Sequence, residues 1–402
     1  LPRALREHRT RAGRRRVMLD RMAAGELPRK PHTVLRGPEG ELRYEQCLTR
    51  AGFDGPFSML YLEARPQAWT AVSGPTSPPP AAAADGDDPL LRRHYRTQRL
   101  AAGSEWIDSQ SPLLESADIL LSIAKPTRSD AAYFMNADAD ELWFVRQGRG
   151  TLRTAFGDVA FEPNDYVCVP KGVLRRVIVD SPLDVLSIEC RGGVGVPAQF
   201  RNPVGQLRMD APYSHRDFRR PEFKGPRDEG IREIVVQRLG RKQRYQARTT
   251  PLDAVGWDGT VYPWAFPILA FQPRVSSVHL PPTWHGTFAA HGALICSFVP
   301  RPLDFHPDAI PCPYPHASVD IDEVLYYVQG NFGSRTGVES GSITLHPRGV
   351  AHGPQPGRYE QSIGATRTDE LAVMLDCALP LRPTASARGI EDAAYDNSFG
   401  GG

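Results

Sequence analysis

Short apolar runs separated by turn-forming residues make up most of the chain. Runs such as Ile119–Ala124, Leu142–Val145 and Val324–Val328 have the length of strands, and Gly, Pro or Asp lies close to each of them. Apolar runs of this length between turn formers are typical of β-strands. The pattern therefore predicts an all-β protein with two strand-rich regions, residues 111–195 and 250–381.

The other segments are predicted from their composition. Residues 1–110 are expected to form an N-terminal arm and strands that pack on the two β units, with a mobile proline- and alanine-rich loop at 75–89. Residues 196–249 show no sustained period and are expected to cross between the units. The polar tail, residues 382–402, is expected to be disordered.

Two parts of the chain repeat one motif, in which an acidic pair and an apolar run are followed by a glycine. The matched segments are 140–148 with 322–330 and 164–175 with 341–352, and Phe134 falls opposite His316. Similarity at a fixed internal interval indicates duplicated structural units. The chain is therefore predicted to contain two copies of one β-barrel module.

Two histidines and one carboxylate in the second copy form a candidate metal site. His316 precedes the apolar run that starts after Glu323, and His352 follows a turn that contains proline and glycine. Two neutral imidazoles and one carboxylate on one face of the metal are what non-haem Fe(II) oxygenases need. Asp322 is the alternative carboxylate, although the register of the motif favours Glu323.

The first copy keeps the acid of this motif but lacks both histidines. Phe134 and Arg175 stand at the two histidine positions. A buried cation opposes metal binding, which requires neutral imidazole. We therefore predict that the first barrel is structural and that the metal belongs to the second.

Charge and composition exclude several classes of function. The formal net charge is +2, and no apolar run approaches the ~18 residues of a membrane span, so neither nucleic acid nor a membrane is a predicted partner. The basic arm Arg3–Arg21 is expected to be solvated or to clasp another subunit rather than to bind an acidic partner. Six scattered cysteines without C-x-x-C pairing predict free thiols in a reducing cytoplasm.

The second half of the chain resembles homogentisate 1,2-dioxygenase and its bacterial relatives. The resemblance is carried by Trp257-Asp258-Gly259, FVPRPLDFHP (298–307), PYPHASVDIDEVLYYVQGNF (313–332), GSITLHPRGVAHGP (341–354) and RTDELAVMLD (367–376). It implies a bicupin fold of two cupin-type β-barrels, with Fe(II) held by His316, Glu323 and His352 in the second. It also implies a homo-oligomer that acts on an aromatic acid and O₂.

Further candidate residues follow from this resemblance and from their positions. Asp258 stands where family members have a histidine base, and it is therefore a candidate catalytic residue. His346 is the second candidate catalytic residue, as a hydrogen-bond donor behind the ligands, and the alternative is an ordinary packed histidine. The candidates for substrate binding are Tyr314, which matches a family tyrosine, and Phe332, which stands where family members have a tyrosine. Tyr262 and His285 are further candidates; the alternative for Tyr262 is a core residue, and the alternative for His285 is a loop histidine without a role in binding.

The predicted function is an Fe(II)-dependent dioxygenase that opens the ring of a hydroquinone or phenolic acid such as homogentisate. One alternative is a metal-dependent cupin oxygenase of a biosynthetic pathway that acts on a different phenol or acid, and Asp258 and Phe332 motivate it. The other is a bicupin that binds a ligand without catalysis. An intact ligand set beside a degenerate one argues against that last alternative.

Overall fold

The computed structural model describes residues 19–66, 68–74 and 89–400. Most of the predicted basic arm and the predicted mobile loop, apart from Pro89, lie outside the described residues. The described residues form strands β1 to β27 and three one-turn α-helices: Trp106–Ser109 (α1), Arg358–Gln361 (α2) and Ala385–Arg388 (α3). The predicted all-β fold is confirmed, and none of the described helices is long and apolar enough to cross a membrane.

Two seven-stranded sheets face each other in the first barrel. One has the order Gly157–Phe161 (β11), Gly150–Thr154 (β10), Arg175–Val179 (β13), Tyr133–Asn136 (β8), Glu233–Arg238 (β16), Arg241–Ala247 (β17) and Trp69–Ala71 (β4). The other has the order Trp264–Pro267 (β19), Asp165–Val169 (β12), Asp140–Gln147 (β9), Asp184–Cys190 (β14), Ile119–Ala124 (β7), Gln110–Glu115 (β6) and Arg382–Pro383 (β27).

The second barrel is built on a third seven-stranded sheet. Its order is Val194–Gly195 (β15), Gly286–Ala290 (β20), Ala293–Phe298 (β21), Leu371–Cys377 (β26), Asp322–Gln329 (β23), Ser342–His346 (β24) and Arg93–Arg96 (β5). A two-stranded ladder accompanies it, formed by Arg301–Pro302 (β22) and Arg367–Thr368 (β25).

A four-stranded sheet from the N-terminal region completes the fold. Its order is Met22–Gly25 (β1), Ala254–Gly259 (β18), Phe57–Leu62 (β3) and Tyr44–Thr49 (β2). Short 3₁₀ turns lie at Thr97–Arg99, Ala198–Phe200, His215–Asp217, Ile268–Ala270, Pro282–His285 and Asp396–Phe399. All six cysteines are free, and all of them except Cys47 are buried.

The first barrel takes strands from beyond residue 195, which differs from the predicted division. β16 pairs in parallel with β8 and antiparallel with β17, so most of 233–247 is a hairpin of this barrel rather than a crossover. β19, expected in the second barrel, pairs with β12. Hydrophobic periodicity did not predict this, because contacts distant in sequence decide which sheet a strand joins. Fully buried strands such as β19 also lack the alternation of apolar and polar residues that marks a half-buried strand.

The tail is ordered through Gly400, so the expected disorder is wrong for residues 382–400. β27 joins the first barrel through Pro383, which pairs with Leu114. Thr384 caps α3 by accepting the N–H of Ala387. Tyr395 is buried at 4% exposure. A few buried apolar side chains anchor this otherwise polar tail, and the average composition of the segment does not reveal them.

One hydrophobic core runs through both barrels and fixes the orientation of β23. Side chains alternate between the two faces of a strand. Tyr326 of β23 packs edge-on against Phe144 of β9, with ring centroids 6.2 Å apart. Glu323 and Leu325 lie on the opposite face and line a cavity. The contact of Tyr326 with the first barrel therefore orients β23 so that Glu323 points towards the interior of the second barrel.

Candidate metal centre

Two loops bring His316 and His352 together through a backbone bridge. Each donates its N–H to the carbonyl of the other at 2.8 Å, which sets the two imidazoles with centroids 4.4 Å apart. Gly353 allows this approach, because a Cβ there would lie 2.7 Å from Pro315 Cα. Glu323 at the start of β23 completes the set, and ligand atoms of the three residues lie within 4.8 Å of one another.

The second ring nitrogen of each histidine is held by a main-chain carbonyl. His316 Nδ1 lies 3.3 Å from the Tyr314 oxygen, and His352 Nδ1 lies 3.0 Å from the Val350 oxygen. A hydrogen bond at Nδ1 fixes the tautomer that leaves Nε2 free to bind a metal. Nε2 of His352 is 3.7 Å from Glu323 Oε1, and Nε2 of His316 is 3.9 Å from Oε2.

These atoms fit a metal ion. The side chain of His352 is 1% exposed, and its Nε2 is buried without a hydrogen-bond partner among the described residues. Leaving a buried polar atom unpaired costs about 1–3 kcal/mol. A divalent cation bound to both Nε2 atoms and to the carboxylate of Glu323 would satisfy it. The donor set of two imidazoles and one carboxylate is that of the facial triad of non-haem iron sites.

His346 stands behind Glu323 and holds it by a hydrogen bond, so it is more than an ordinary packed histidine. Its Nδ1 lies 2.8 Å from Glu323 Oε1, and its Nε2 lies 3.3 Å from the hydroxyl of Tyr395. Burial lowers the pKa of His346 to about 4, so the ring is neutral. Burial by itself would raise the pKa of Glu323, but His346 and His352 hold it well below its ordinary value. Glu323 is therefore ionised at neutral pH, as a carboxylate that is to bind a metal must be.

Asp322, the alternative carboxylate, points away from this set. One of its oxygens accepts the backbone N–H of Arg348 at 2.9 Å, and the other accepts that of Leu381 at 2.8 Å. Neighbouring residues on a strand face opposite sides, which places Asp322 on the other face of β23. It caps two loops instead of reaching the metal position.

Asp376 is a residue near the site that the motif did not reveal. It lies directly opposite Glu323 in the ladder of β26 with β23. Burial and the charge of Glu323 raise its pKa to about 7. Two adjacent carboxyl groups do not both ionise readily in a buried place. The register of strand pairing determines which residues are neighbours across two strands, and this register cannot be read from sequence spacing alone.

A cavity of about 340 Å³ opens beside Glu323 and His316. Its wall carries several cationic or imidazole side chains: Arg274, Arg301, Arg335, Arg358, Arg367, His279 and His285. This volume lies in the range of roughly 300–1,000 Å³ that small-molecule sites occupy. The predicted contact of His285 with the cavity agrees with this geometry. The arginines were missed because they are spread over loops that are distant in sequence.

Asp258 and Tyr262 lie away from this cavity within one chain. Asp258 is on β18 between β1 and β3, and it forms an ion pair with Arg21. The hydroxyl of Tyr262 donates to the carbonyl of Asp20 at 2.9 Å, and its ring packs on Trp257. The structure therefore does not bring these two predicted residues to the His316–Glu323–His352 set.

Tyr314 and Phe332 flank the site without lining the cavity. Tyr314 is 53% exposed, and its ring stands edge-on to those of His279 and His316 at 5.3 and 6.4 Å. Phe332 is buried against Tyr327, with ring centroids 4.8 Å apart. Its neighbours Asn331 and Gly333 do reach the cavity wall.

The first barrel has a buried arginine at the equivalent position. Arg175 is fully buried and donates to Glu141 at 2.7 Å. Its guanidinium lies 4.7 Å from the ring centroids of both Phe134 and Trp143. The carboxylate and the aromatic faces offset part of the cost of burying this cation. The first barrel thus holds the guanidinium of an arginine at the position that His352 has in the second barrel.

Among the described residues, the two barrels and one His–Glu–His set define a bicupin with a candidate metal centre. A family model described as homogentisate 1,2-dioxygenase N-terminal matches residues 118–268. A protein of Saccharolobus solfataricus named "Putative dioxygenase SSO1533" is 32% identical over 380 residues, which cover 93% of this chain and 97% of that protein. The chain belongs to the homogentisate dioxygenase-like family.

Two further proteins are similar to this chain. Homogentisate 1,2-dioxygenase of Pseudomonas putida strain KT2440 is 26% identical over 297 residues, which cover 67% of this chain and 65% of that enzyme. Among solved structures, a cupin 2 conserved barrel domain protein from Leptotrichia buccalis covers 72% of this chain and 97% of its own, at 8% identity and a TM-score of 0.35.

Proposed function

We propose that this chain is an Fe(II)-dependent dioxygenase that uses O₂ to open the ring of a hydroquinone or phenolic carboxylic acid such as homogentisate. The observation that carries the proposal is the set of His316, Glu323 and His352, two members of which, His316 and Glu323, line a cavity of about 340 Å³. Relatives named as dioxygenases support the reaction type.

The residues around the centre have distinct tasks. Bound to the three side chains, Fe(II) would supply a redox-active Lewis acid for O₂ and for a phenol. His346 keeps Glu323 oriented by a 2.8 Å hydrogen bond. The Tyr314 and Val350 carbonyls keep the imidazole Nε2 atoms available. Such support fixes ligands within the narrow limits that catalysis needs.

The cavity wall carries arginines that are suited to an acidic substrate, and it also carries the carboxylates of Asp304, Glu323, Asp369 and Glu370. Arg274 and Arg301 line the same cavity as the His279 imidazole. Arg301 lies 3.5 Å from Glu370, so its charge is partly compensated, and Arg274 stacks over Trp284 at 5.1 Å. Guanidinium groups bind carboxylates by strong, charge-assisted hydrogen bonds. A ring that bears a carboxylate side chain suits this wall better than a neutral phenol.

A different phenol or acid is the second candidate substrate. Two positions that the resemblance associates with homogentisate have different surroundings here, because Asp258 pairs with Arg21 and Phe332 packs on Tyr327. The reaction would remain a metal-dependent oxygenation, and the substrate would belong to another pathway.

The proposal is tested by loading the purified protein anaerobically with Fe(II). Metal content, oxygen uptake and loss of ring absorbance are then followed with homogentisate and with a panel of hydroquinones and catechols. We expect one iron per chain and stoichiometric oxygen uptake with at least one ring acid. A His352→Ala variant removes a buried ligand, so both metal retention and oxygen uptake should fall to background.

His306→Ala is the matched control for that variant. His306 is an exposed histidine near Asp308 and lies outside the ligand set. It should leave metal content and oxygen uptake as in the parent. If the His352→Ala protein were as active as the parent, the assignment of the centre would be wrong. If the parent held no stoichiometric metal after loading, a bicupin that binds ligands without catalysis would become the better description.

A further inference from the structure

Arg335 is the most deeply buried of the arginines that line the cavity. It is 6% exposed, whereas the other arginines of the wall are half-buried or exposed. Its side chain lines the same cavity as His316 and Glu323. The guanidinium therefore lies beside the space next to the candidate metal ligands, in a place that is largely shielded from bulk water.

The guanidinium of Arg335 has no carboxylate partner among the described residues. Its Nη1 donates to the main-chain carbonyls of Gly353 and Ser334. Its Nε is buried without a hydrogen-bond partner in the described part of the chain, and the ring centroid of Phe399 lies 5.9 Å away. A buried charge is costly unless it is paired and hydrogen-bonded. An anion from outside the chain would supply the missing pairing.

Arg301 lines the same cavity, but its charge is partly balanced within the chain. One of its nitrogens lies 3.5 Å from a carboxylate oxygen of Glu370, and another donates to the carbonyl of Val299 at 3.1 Å. The remaining arginines of the wall are closer to solvent, and water stabilises an exposed cation without any protein partner. Arg335 is therefore the wall arginine whose charge is least compensated.

Arg335 remains charged in this setting. Burial lowers the pKa of its guanidinium, but the charges of Tyr327, Tyr395 and Glu323 outweigh burial and raise that pKa above its ordinary value. A divalent ion at the ligand set and this guanidinium would together bring three positive charges, against one negative charge from Glu323. A substrate that carries a carboxylate and loses one phenol proton would bring the two negative charges that neutralise the site.

We propose that Arg335 binds the carboxylate of the ring acid and thereby makes the site selective for acids over neutral hydroquinones. This inference rests on the proposed function, because it assigns the acid group of the same substrate. A guanidinium can donate two parallel N–H groups to one carboxylate, which fixes the direction of the acid as well as its position. The ring is then held from its acidic side chain, and a ring oxygen can reach the metal position.

The kinetic test compares homogentisate, or whichever ring acid the parent oxidises best, with its methyl ester, which keeps the ring and loses the charge. The kcat/KM values are measured for the iron-loaded parent, Arg335→Gln and Arg335→Lys. Arg335→Gln should lower kcat/KM for the acid by roughly 10–100-fold, because a charge-assisted hydrogen bond is lost. The value for the ester should change by less than a few-fold. Arg335→Lys keeps the charge without the planar fork, so it should lose less with the acid.

Arg149→Gln is the matched control. Arg149 is an arginine of the first barrel with a 69% exposed side chain, and it lies outside the cavity wall. The control should have the kcat/KM values of the parent for both compounds. Arg301→Gln is the comparison within the wall, and it should keep most of the preference for the acid.

Binding is measured separately in the protein loaded with Zn(II), which has no redox chemistry. In anaerobic titration calorimetry the parent should bind the acid more tightly than the ester, and Arg335→Gln should bind the two about equally. This measurement separates the inference from the proposed function. A parent that prefers the acid in the Zn(II) form but consumes no oxygen with any phenol refutes the proposed function and supports the assignment of Arg335.

Metal content and thermal unfolding of every variant show whether Arg335 has only a structural role. Equal losses of kcat/KM with the acid and with the ester in Arg335→Gln would overturn the inference. It is also overturned if Arg301→Gln removes the preference for the acid while Arg335→Gln retains it. Loss of the metal from both Arg335 variants would show that this residue supports the turn at Gly353, beside His352, and does not select the substrate.

Discussion

At the scale of single residues, the charge balance of the first barrel depends on three buried groups. Arg175 and Glu141 neutralise each other at 2.7 Å. Glu189 lies opposite Glu141 in the ladder of β14 with β9 and accepts hydrogen bonds from Asn136 and Gln237. Burial and the charge of Glu141 raise the pKa of Glu189 to about 7. One arginine therefore stabilises one carboxylate, and the second acid is protonated below neutral pH.

Glu189→Gln should remove a pH-dependent loss of stability. The pKa of Glu189 is about 7 in the folded chain against an ordinary 4.5, so the folded state holds the proton more tightly. Stability then falls as pH rises from about 4.5 to about 7. Glutamine keeps the hydrogen bonds without the charge. The variant should therefore match the parent near pH 4.5 and exceed it above pH 7 by roughly 1–3 kcal/mol.

Thermal unfolding of both proteins at pH 5 and pH 8 measures this difference. Glu162→Gln is a suitable control, because Glu162 is an acid 61% exposed at 3.9 Å from Arg149. The control should retain the pH dependence of the parent. An equal fall of the unfolding temperature with pH in the parent and in Glu189→Gln would contradict the assignment.

At the scale of elements, the C-terminal tail supports the candidate metal centre from behind. Tyr395 contacts His346, and His346 holds Glu323. The tail is also tied to β5 by ion pairs of Arg93 with Glu391 at 2.7 Å and of Arg96 with Asp392 at 2.7 Å. The candidate ligands thus come from β23 and two loops, and their support comes from β24 and the last described residues of the chain.

Deleting residues from 391 to the C-terminus should weaken both the fold and metal binding. Loss of buried Tyr395 alone removes about 1.5–3 kcal/mol of apolar burial. Because His346 loses its outer partner, metal affinity should fall by roughly 10–100-fold. Tyr395→Phe keeps the ring and removes the hydroxyl, so its effect should be distinctly smaller. Competition with a chelator and thermal unfolding measure the two effects, and unchanged metal affinity after deletion would count against this support.

Sequence reasoning was most successful where local motifs place residues. His316, Glu323 and His352 belong to two short motifs, and the structure brings the three side chains together. The cavity arginines come from loops that are distant in sequence, and Asp376 meets Glu323 only through strand register. Fold class was predictable from strand-length apolar runs. The sheets that β16, β17 and β19 join were not predictable from the sequence, because each of these strands pairs with a strand distant in sequence.

At the scale of the whole molecule, the two barrels exchange edge strands. β5 precedes the first barrel in the chain but pairs with β24 of the second. β27 follows the second barrel but pairs with β6 of the first. β15 and β19 similarly lie in the sheet of the other half. Each barrel is therefore complete only when segments from both halves of the chain are present.

A fragment that ends at residue 249 should not form a stable first barrel. It lacks β19 and β27, which leaves the outer edges of β12 and β6 open. Unpaired strand edges promote association with other chains. We expect higher-order aggregates by size-exclusion chromatography, whereas the full chain elutes as one defined species. A fragment that ends at residue 275 regains β19 and should aggregate less. A monodisperse fragment at 249 would contradict the role given to these edges.

The position of β27 also determines when the first barrel can finish folding on the ribosome. β6 is made early, but its partner at Pro383 lies far downstream in the chain. At roughly 5–20 residues per second, the edge of β6 stays uncovered for more than ten seconds before Pro383 is made. Chaperone engagement during that interval should concentrate on β6. Slowing the translation of the codons that precede Pro383 would prolong the exposure without changing a single residue of the finished protein.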